Sequence, residues 1–266
     1  MTGGEGRLRP NLAAWSLAAL TLCFALVAIL TPAIPQPLSY HAFADCRSFW
    51  AIPNCLNVVS NLPFLIGGAL GLQLIWKGGG RFIDAREQLP YLVFFLGALL
   101  TCFGSAYYHA APDNTRLVWD RLPMTLGFSG LVAASVAERV DLNLGLKSLW
   151  PLLLIGVVTV LYWYATERAG SGNLVPYAAY QAWSILAIVL LLAWSKRRYS
   201  HGGLLAWAAV WYGLAKVFET FDLQVFRLLG GTLSGHTIKH VLASFAVFAI
   251  VRQLHVRQPF NAAAVR

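Results

Sequence analysis

Charge is what this sequence has least of. Only 12% of its 266 residues are Asp, Glu, Lys or Arg, against about 25% in an ordinary soluble domain. The few charges sit in short clusters between long uncharged stretches, and no Lys/Arg run exceeds the three of Lys196-Arg197-Arg198. A chain of this length and composition is expected to form one membrane bundle, with no soluble domain beside it. Its net charge of +9 is accordingly read as Lys and Arg retained on one side of a bilayer, not as a nucleic-acid surface. Low-complexity segments, long linkers and internal repeats are missing too. The four cysteines form no CxxC pair. Cys23 and Cys102 fall in apolar runs and read as small packing residues. Cys46 and Cys55 share a loop region, where a disulfide is one option if that loop faces an oxidising compartment.

What is present is apolar: 58% of the chain. Runs of about 20 apolar residues predict eight spanning helices, at 12–31, 54–76, 89–109, 121–139, 148–166, 174–194, 203–221 and 235–252. Arg7 and Arg9 precede the first run as they would a signal peptide, but the run is long and "ILTPAIPQP" is a poor cleavage site, so it is read as an uncleaved helix. The span at 203–221 carries Lys216 and Glu219, with Asp222 just beyond. With eight spans, thirteen Lys and Arg fall at the termini and in the even-numbered loops. Six (Arg47, Arg116, Arg121, Arg168, Lys216 and Arg227) fall on the other side. That asymmetry predicts both termini in the cytoplasm.

Polar residues at the span ends carry the chemistry. "CFGSAYYHAAPD" ends the third span, with Ser105 and His109 at i, i+4 on one face. "WDRLPM" opens the fourth, with Asp120, and "SGHTIKH" opens the eighth, with His236 and His240 also at i, i+4. All three ends lie on the non-cytoplasmic side in this topology, so His109, Asp120, His236 and His240 are expected at a similar depth. Three histidines and an open position make up a usual catalytic zinc site. HExxH is absent, so the base must come from elsewhere. Asp120 is the candidate, and Ser105 is placed to hydrogen-bond a water or a developing oxyanion. Lys239 is read as a bystander, either snorkelling or paired with an acid. His41, His201 and His255 are assigned to loops or tails.

"SAYYH", the Asp of "WDRLPM", "GHTIKH" and the segment "NVVSNLPF" at 57–64 together resemble the alkaline ceramidase family. That family belongs to a superfamily of seven-helix membrane hydrolases that also includes the progestin/adiponectin receptors. The resemblance covers about 45–252. It implies an all-α polytopic bundle with a seven-helix core and one added N-terminal transmembrane helix. The expected division is 1–44 for the cytoplasmic N-terminus, added helix and start of the first loop, 45–252 for the membrane domain, and 253–266 for a cytoplasmic tail. It further implies that His109, His236 and His240 bind zinc, that Asp120 and Ser105 are catalytic, and that the reaction hydrolyses the linear amide C–N bond of ceramide to a sphingoid base and a free fatty acid. The substrate would be a lipid drawn from the bilayer; neither nucleic acid nor an obligate protein partner is expected.

One stretch departs from the family. Eukaryotic members have an acidic calcium-binding segment before the first core helix. Here that region reads "DCRSFWAIPN": Asp45 is kept, while Arg47, Ser48 and Asn54 offer little negative charge for a hard cation. Calcium is therefore not expected. Glu219 and Asp222 are expected to serve a polar network, satisfying Lys239 or Arg227. Other readings remain open: a hydrolase of another lipid, a zinc-stabilised receptor or scaffold without turnover, and a proton-coupled transporter. The open fourth position argues against structural zinc, and a relay gathered at one edge argues against transport.

Overall fold

The computed structural model describes residues 8–194 and 198–260, with side chains from residue 12 onward. Arg7, Lys196, Arg197, Arg266 and the side chain of Arg9, all used in the charge count, lie outside the described residues, as does the tail from 261. The elements are α1 (Leu8–Leu30), α2 (Cys55–Val59), α3 (Leu62–Trp76), α4 (Gln88–Ala110), α5 (Asn114–Arg139), α6 (Leu142–Arg168), α7 (Val175–Trp194), α8 (Gly203–Thr220), α9 (Asp222–Leu228) and α10 (Gly235–Val256). Two isolated bridges aside, no strand occurs among the described residues.

Six segments are long and apolar enough to cross a bilayer: α1, α2 with α3, α4, α6, α7 and α10. The expected spans now called α5 and α8 fall outside that set. The reason for α5 is its composition, since 26 residues are long enough. It packs against α4, α6 and α7, and nearly every residue from Ser129 to Arg139 is buried, so protein rather than lipid surrounds it. Its Arg116, Asp120, Arg121, Glu138 and Arg139 lower its hydropathy but face partners. Lys216 and Glu219 do the same in α8.

Two helices begin earlier than their apolar runs suggest. Asp113 caps α5 by accepting the Arg116 N–H at 2.7 Å, and Asp141 caps α6 by accepting the Leu144 N–H at 2.8 Å. Asp120 consequently sits inside a helix, not just ahead of one. Arg139 and Lys147, expected in a loop, are helical, as is His255.

The seam between α4 and α5 sets the distance between the future site residues. A Cβ on Gly104 would stand 1.9 Å from the Trp119 carbonyl oxygen, and one on Gly97 would stand 2.5 Å from the Gly127 nitrogen. Only hydrogen fits there, so the two backbones touch. That contact brings the Ser105–His109 turn of α4 beside the Trp119–Asp120 turn of α5.

At the opposite end, the fully buried Arg257 pairs with Glu138, which also accepts the Tyr91 hydroxyl at 2.9 Å. Its guanidinium stacks 4.0 Å from the Tyr199 ring centroid and donates to Gly80 O. Tyr199 in turn bonds Glu87. This network ties the α3–α4 loop, the end of α5, the segment before α8 and the end of α10 into one knot.

Candidate metal centre

Ser234 ends the loop before α10, and its hydroxyl accepts the Thr237 N–H at 3.0 Å. The helix therefore starts with His236 and His240, one turn apart, on the face turned toward α4. His109 occupies the last turn of α4. Its Nε2 lies 3.1 Å from Nε2 of His240 and 3.3 Å from Nε2 of His236. The three rings are at most 4% exposed, and their ligand atoms lie within 4.8 Å of one another.

This convergence has a chemical consequence. A neutral imidazole nitrogen has one in-plane lone pair or one proton. Protons alone satisfy one of the two Nε2 contacts of His109, whereas a cation between the rings satisfies all three nitrogens. Three buried histidines are thus close enough, and suitably composed, to hold a metal ion.

The surrounding residues orient the rings. Ser60 Oγ lies 2.8 Å from His240 Nδ1 and donates to the Asn57 carbonyl oxygen at 3.1 Å. Having spent its proton there, the hydroxyl accepts from Nδ1–H, which leaves Nε2 as the lone-pair nitrogen. Asp222 Oδ1 accepts the His236 backbone N–H at 2.7 Å, and Asn54 donates to the His109 carbonyl oxygen at 2.8 Å. The segment between α1 and α2 forms a strap over the centre. Its Phe43 ring lies 4.8 Å from the His109 ring and 4.6 Å from the His236 ring. Asp222 Oδ2 holds the strap through the Ala44 N–H at 2.9 Å. His41 ties it to Tyr108 and Asn114 at 2.9 Å each.

On the other side of the centre a cavity of about 510 Å³ opens. Ser105, Asp120 and His240 line it together. Asp120 itself lies outside the ligand cluster, which comprises the three histidines. From Lys239 to Ile250 the α10 lining extends about 16 Å at 1.5 Å per residue. That is about half the ~30 Å hydrocarbon core of a bilayer. Beyond the polar end the walls are apolar, including Phe94, Phe128, Leu131, Leu205 and Val247.

No family model, curated protein or solved structure matches the chain. The site is read from its own residues. His109, His236 and His240 meet, as expected, and Ser105 and Asp120 share a cavity wall with His240. Lys239 pairs with Glu219 at 2.6 Å, and Glu219 also pairs with Lys216. Asp222 serves a polar network, as expected, but through the His236 and Ala44 backbone amides; among the described residues it pairs with no cation. Asp45 is engaged by Arg47 through two bonds of 2.8 Å, and Arg47 also donates to Thr232 O at 2.7 Å. Cys46 and Cys55 are free thiols.

Sequence reasoning missed Ser60, Asp222 and Phe43 as supports of the site, and His41 as a tie of the strap. "NVVSNLPF" contained Ser60, but nothing in one dimension pairs it with His240, 180 positions away. Arg121 was counted only among the six cations of the non-cytoplasmic side. It is 4% exposed and lines the cavity.

Proposed function

We propose that this chain is an integral-membrane zinc amidohydrolase of the alkaline ceramidase type, cleaving ceramide-like lipids to a sphingoid base and a fatty acid. The observation that carries the reading is the buried His109–His236–His240 cluster, whose His240 shares an apolar, one-leaflet-deep cavity with the Ser105–Asp120 pair. When bound by the three histidines, zinc supplies Lewis acidity and a water acidified toward neutral pH.

The chain's own residues do the rest. Asp120, beside the cluster but not part of it, takes the proton from the attacking water and returns it to the leaving nitrogen as the C–N bond breaks. Ser105 donates its one hydroxyl proton to the reacting carbonyl oxygen. The cavity takes the acyl chain. The strap with Phe43 covers the centre on its other side, so the lipid enters from the bilayer. Both α7 and α8 line the cavity yet pack only lightly against each other, which makes their gap the route. From the charge asymmetry of the sequence we place both termini in the cytoplasm and the site toward the opposite face.

The test is hydrolysis of ceramide by purified protein, with His236→Ala as control and zinc measured in both. Zinc-dependent release of fatty acid from wild type alone supports the reading. Full activity after zinc removal sinks the mechanism, and zinc binding without turnover of any lipid amide or ester favours a receptor or scaffold.

A further inference from the structure

Arg121 contrasts with two other cations held inside this bundle. At the far end Arg257 is neutralised by Glu138, and beside the centre Lys239 is neutralised by Glu219. Arg121 has no carboxylate within ion-pair distance among the described residues; the opposite charge of its neighbour Asp120 reaches it only at longer range. Its guanidinium is a fixed positive charge. Burying such a charge inside a membrane bundle without a counter-ion is costly, and such residues are usually functional.

The structure nevertheless holds this side chain firmly. Its guanidinium carbon stacks 4.0 Å from the Trp163 ring centroid and 4.7 Å from that of Tyr177. One edge is fixed by Nη2 donating to Gln36 Oε1 at 2.6 Å. Gln36 is itself anchored by its backbone N–H on Glu167 Oε1 at 2.6 Å, an oxygen that also accepts the Trp163 indole N–H at 3.2 Å. The other terminal nitrogen, Nη1, is buried and has no hydrogen-bond partner. Arg121 shares the polar end of the cavity with Asp120, Ser105 and His240. The result is a fixed cation lining a largely apolar cavity, with one enclosed donor nitrogen that meets no acceptor.

We propose that Arg121 binds a lipid oxyanion, the carboxylate of a long-chain fatty acid, whose chain lies in the cavity. This rests on the reading above only for the origin of the acid, as the product of amide cleavage. The carboxylate supplies the counter-charge that Arg121 lacks, and a single chain matches a cavity about one leaflet deep. Arg121 would thereby hold the acid at the cavity head after cleavage, separate from the histidines.

The experiment compares equilibrium binding of hexadecanoic acid, hexadecan-1-ol and hexadecyl phosphate to the full chain in nanodiscs, for wild type, Arg121→Gln, Arg121→Lys and His236→Ala. The alcohol has the same tail without charge, so its binding reports that the cavity is intact in each variant. Wild type is expected to prefer the acid over the alcohol about ten- to a hundredfold, the worth of a charge-assisted hydrogen bond. Loss of that preference in Arg121→Gln, with partial retention in Arg121→Lys and retention in His236→Ala, supports the proposal. A preference that survives Arg121→Gln overturns it and leaves the cleavage reading standing; if it disappears in His236→Ala instead, the histidines hold the carboxylate. Tighter binding of the phosphate than of the acid overturns the carboxylate assignment. Failure of wild type to bind either the acid or the alcohol overturns both the proposal and the cavity's role in the cleavage reading.

Discussion

Ser60 Oγ sits 2.8 Å from His240 Nδ1, 180 residues away in sequence. Because the same hydroxyl donates to Asn57 O, it sets the tautomer that turns the His240 Nε2 lone pair toward His109. Removing such a partner typically costs ten- to a hundredfold in metal affinity. Ser60→Ala is therefore expected to weaken zinc binding by about tenfold or more, and Ser60→Thr to restore most of it. Competition with a chelator of known affinity measures this; equal affinity in Ser60→Ala and wild type refutes the assignment.

Asp120→Asn separates binding from chemistry. Asp120 lies outside the histidine cluster, so zinc content should match wild type while ceramide hydrolysis falls about 10²- to 10⁴-fold, the usual worth of a general base. Metal analysis beside a turnover assay reads both quantities. Loss of the metal together with activity would instead make Asp120 a ligand.

Asp222 joins two structures with one carboxylate: the His236 N–H on Oδ1 and the Ala44 N–H on Oδ2. Asp222→Ala leaves both amides without their acceptor, at about 1–3 kcal/mol. Hydrogen exchange is expected to quicken at residues 41–46 and in the first turn of α10, with little change in the Arg257 network at the other end. Uniform quickening throughout the chain would show a global loss of stability rather than release of the strap.

Gly104→Ala tests the α4–α5 seam. The added methyl would lie 1.9 Å from Trp119 O, a backbone atom that yields only if the helices part. A loss of about 1–3 kcal/mol is expected from such overpacking, and the same shift should carry Asp120 away from Ser105 and lower turnover. Thermal unfolding and activity, measured together, check it. An unchanged melting temperature would mean that the helices are not in backbone contact.

The strap also has a pH signature. The Arg47 side chain, hydrogen-bonded to Asp45, holds that carboxyl below its ordinary range. A depressed folded-state pKa contributes stability above the unfolded value of about 3.9, lost as pH falls through the folded value. The strap should thus stay attached through mildly acidic pH and loosen only below about pH 4. Arg47→Ala should move that loosening to higher pH. Exchange rates of residues 44–50 against pH would show the shift, and coincident profiles for the two proteins would exclude it.

The sequence by itself determined the helical class, the approximate position of most long helices and the residues of the histidine cluster. Those features are local or follow from connectivity. Apolar run length reports a span, i, i+4 spacing reports a shared helical face, and an alternating topology assigns ends to one side. The same local signals misplaced the starts of α5 and α6, because a capping Asp beyond the apolar run extends the helix without adding hydropathy. They also read α5 as a span from its apolar run alone, without the charges that the protein around it accommodates.

Only the tertiary structure decided the rest. The tautomer of His240 depends on Ser60, the placement of His236 on Asp222, and the cover of the centre on Phe43, each brought in from a distant segment. The α4–α5 distance depends on what a glycine lacks, which a sequence records without saying what approaches it. Arg121 is the clearest case: in the sequence it is one of six cations on the non-cytoplasmic side, whereas Trp163, Tyr177 and Gln36 make it a fixed, buried cation. Periodicity carries direction along one helix, but not the identity of the side chain that meets it from another.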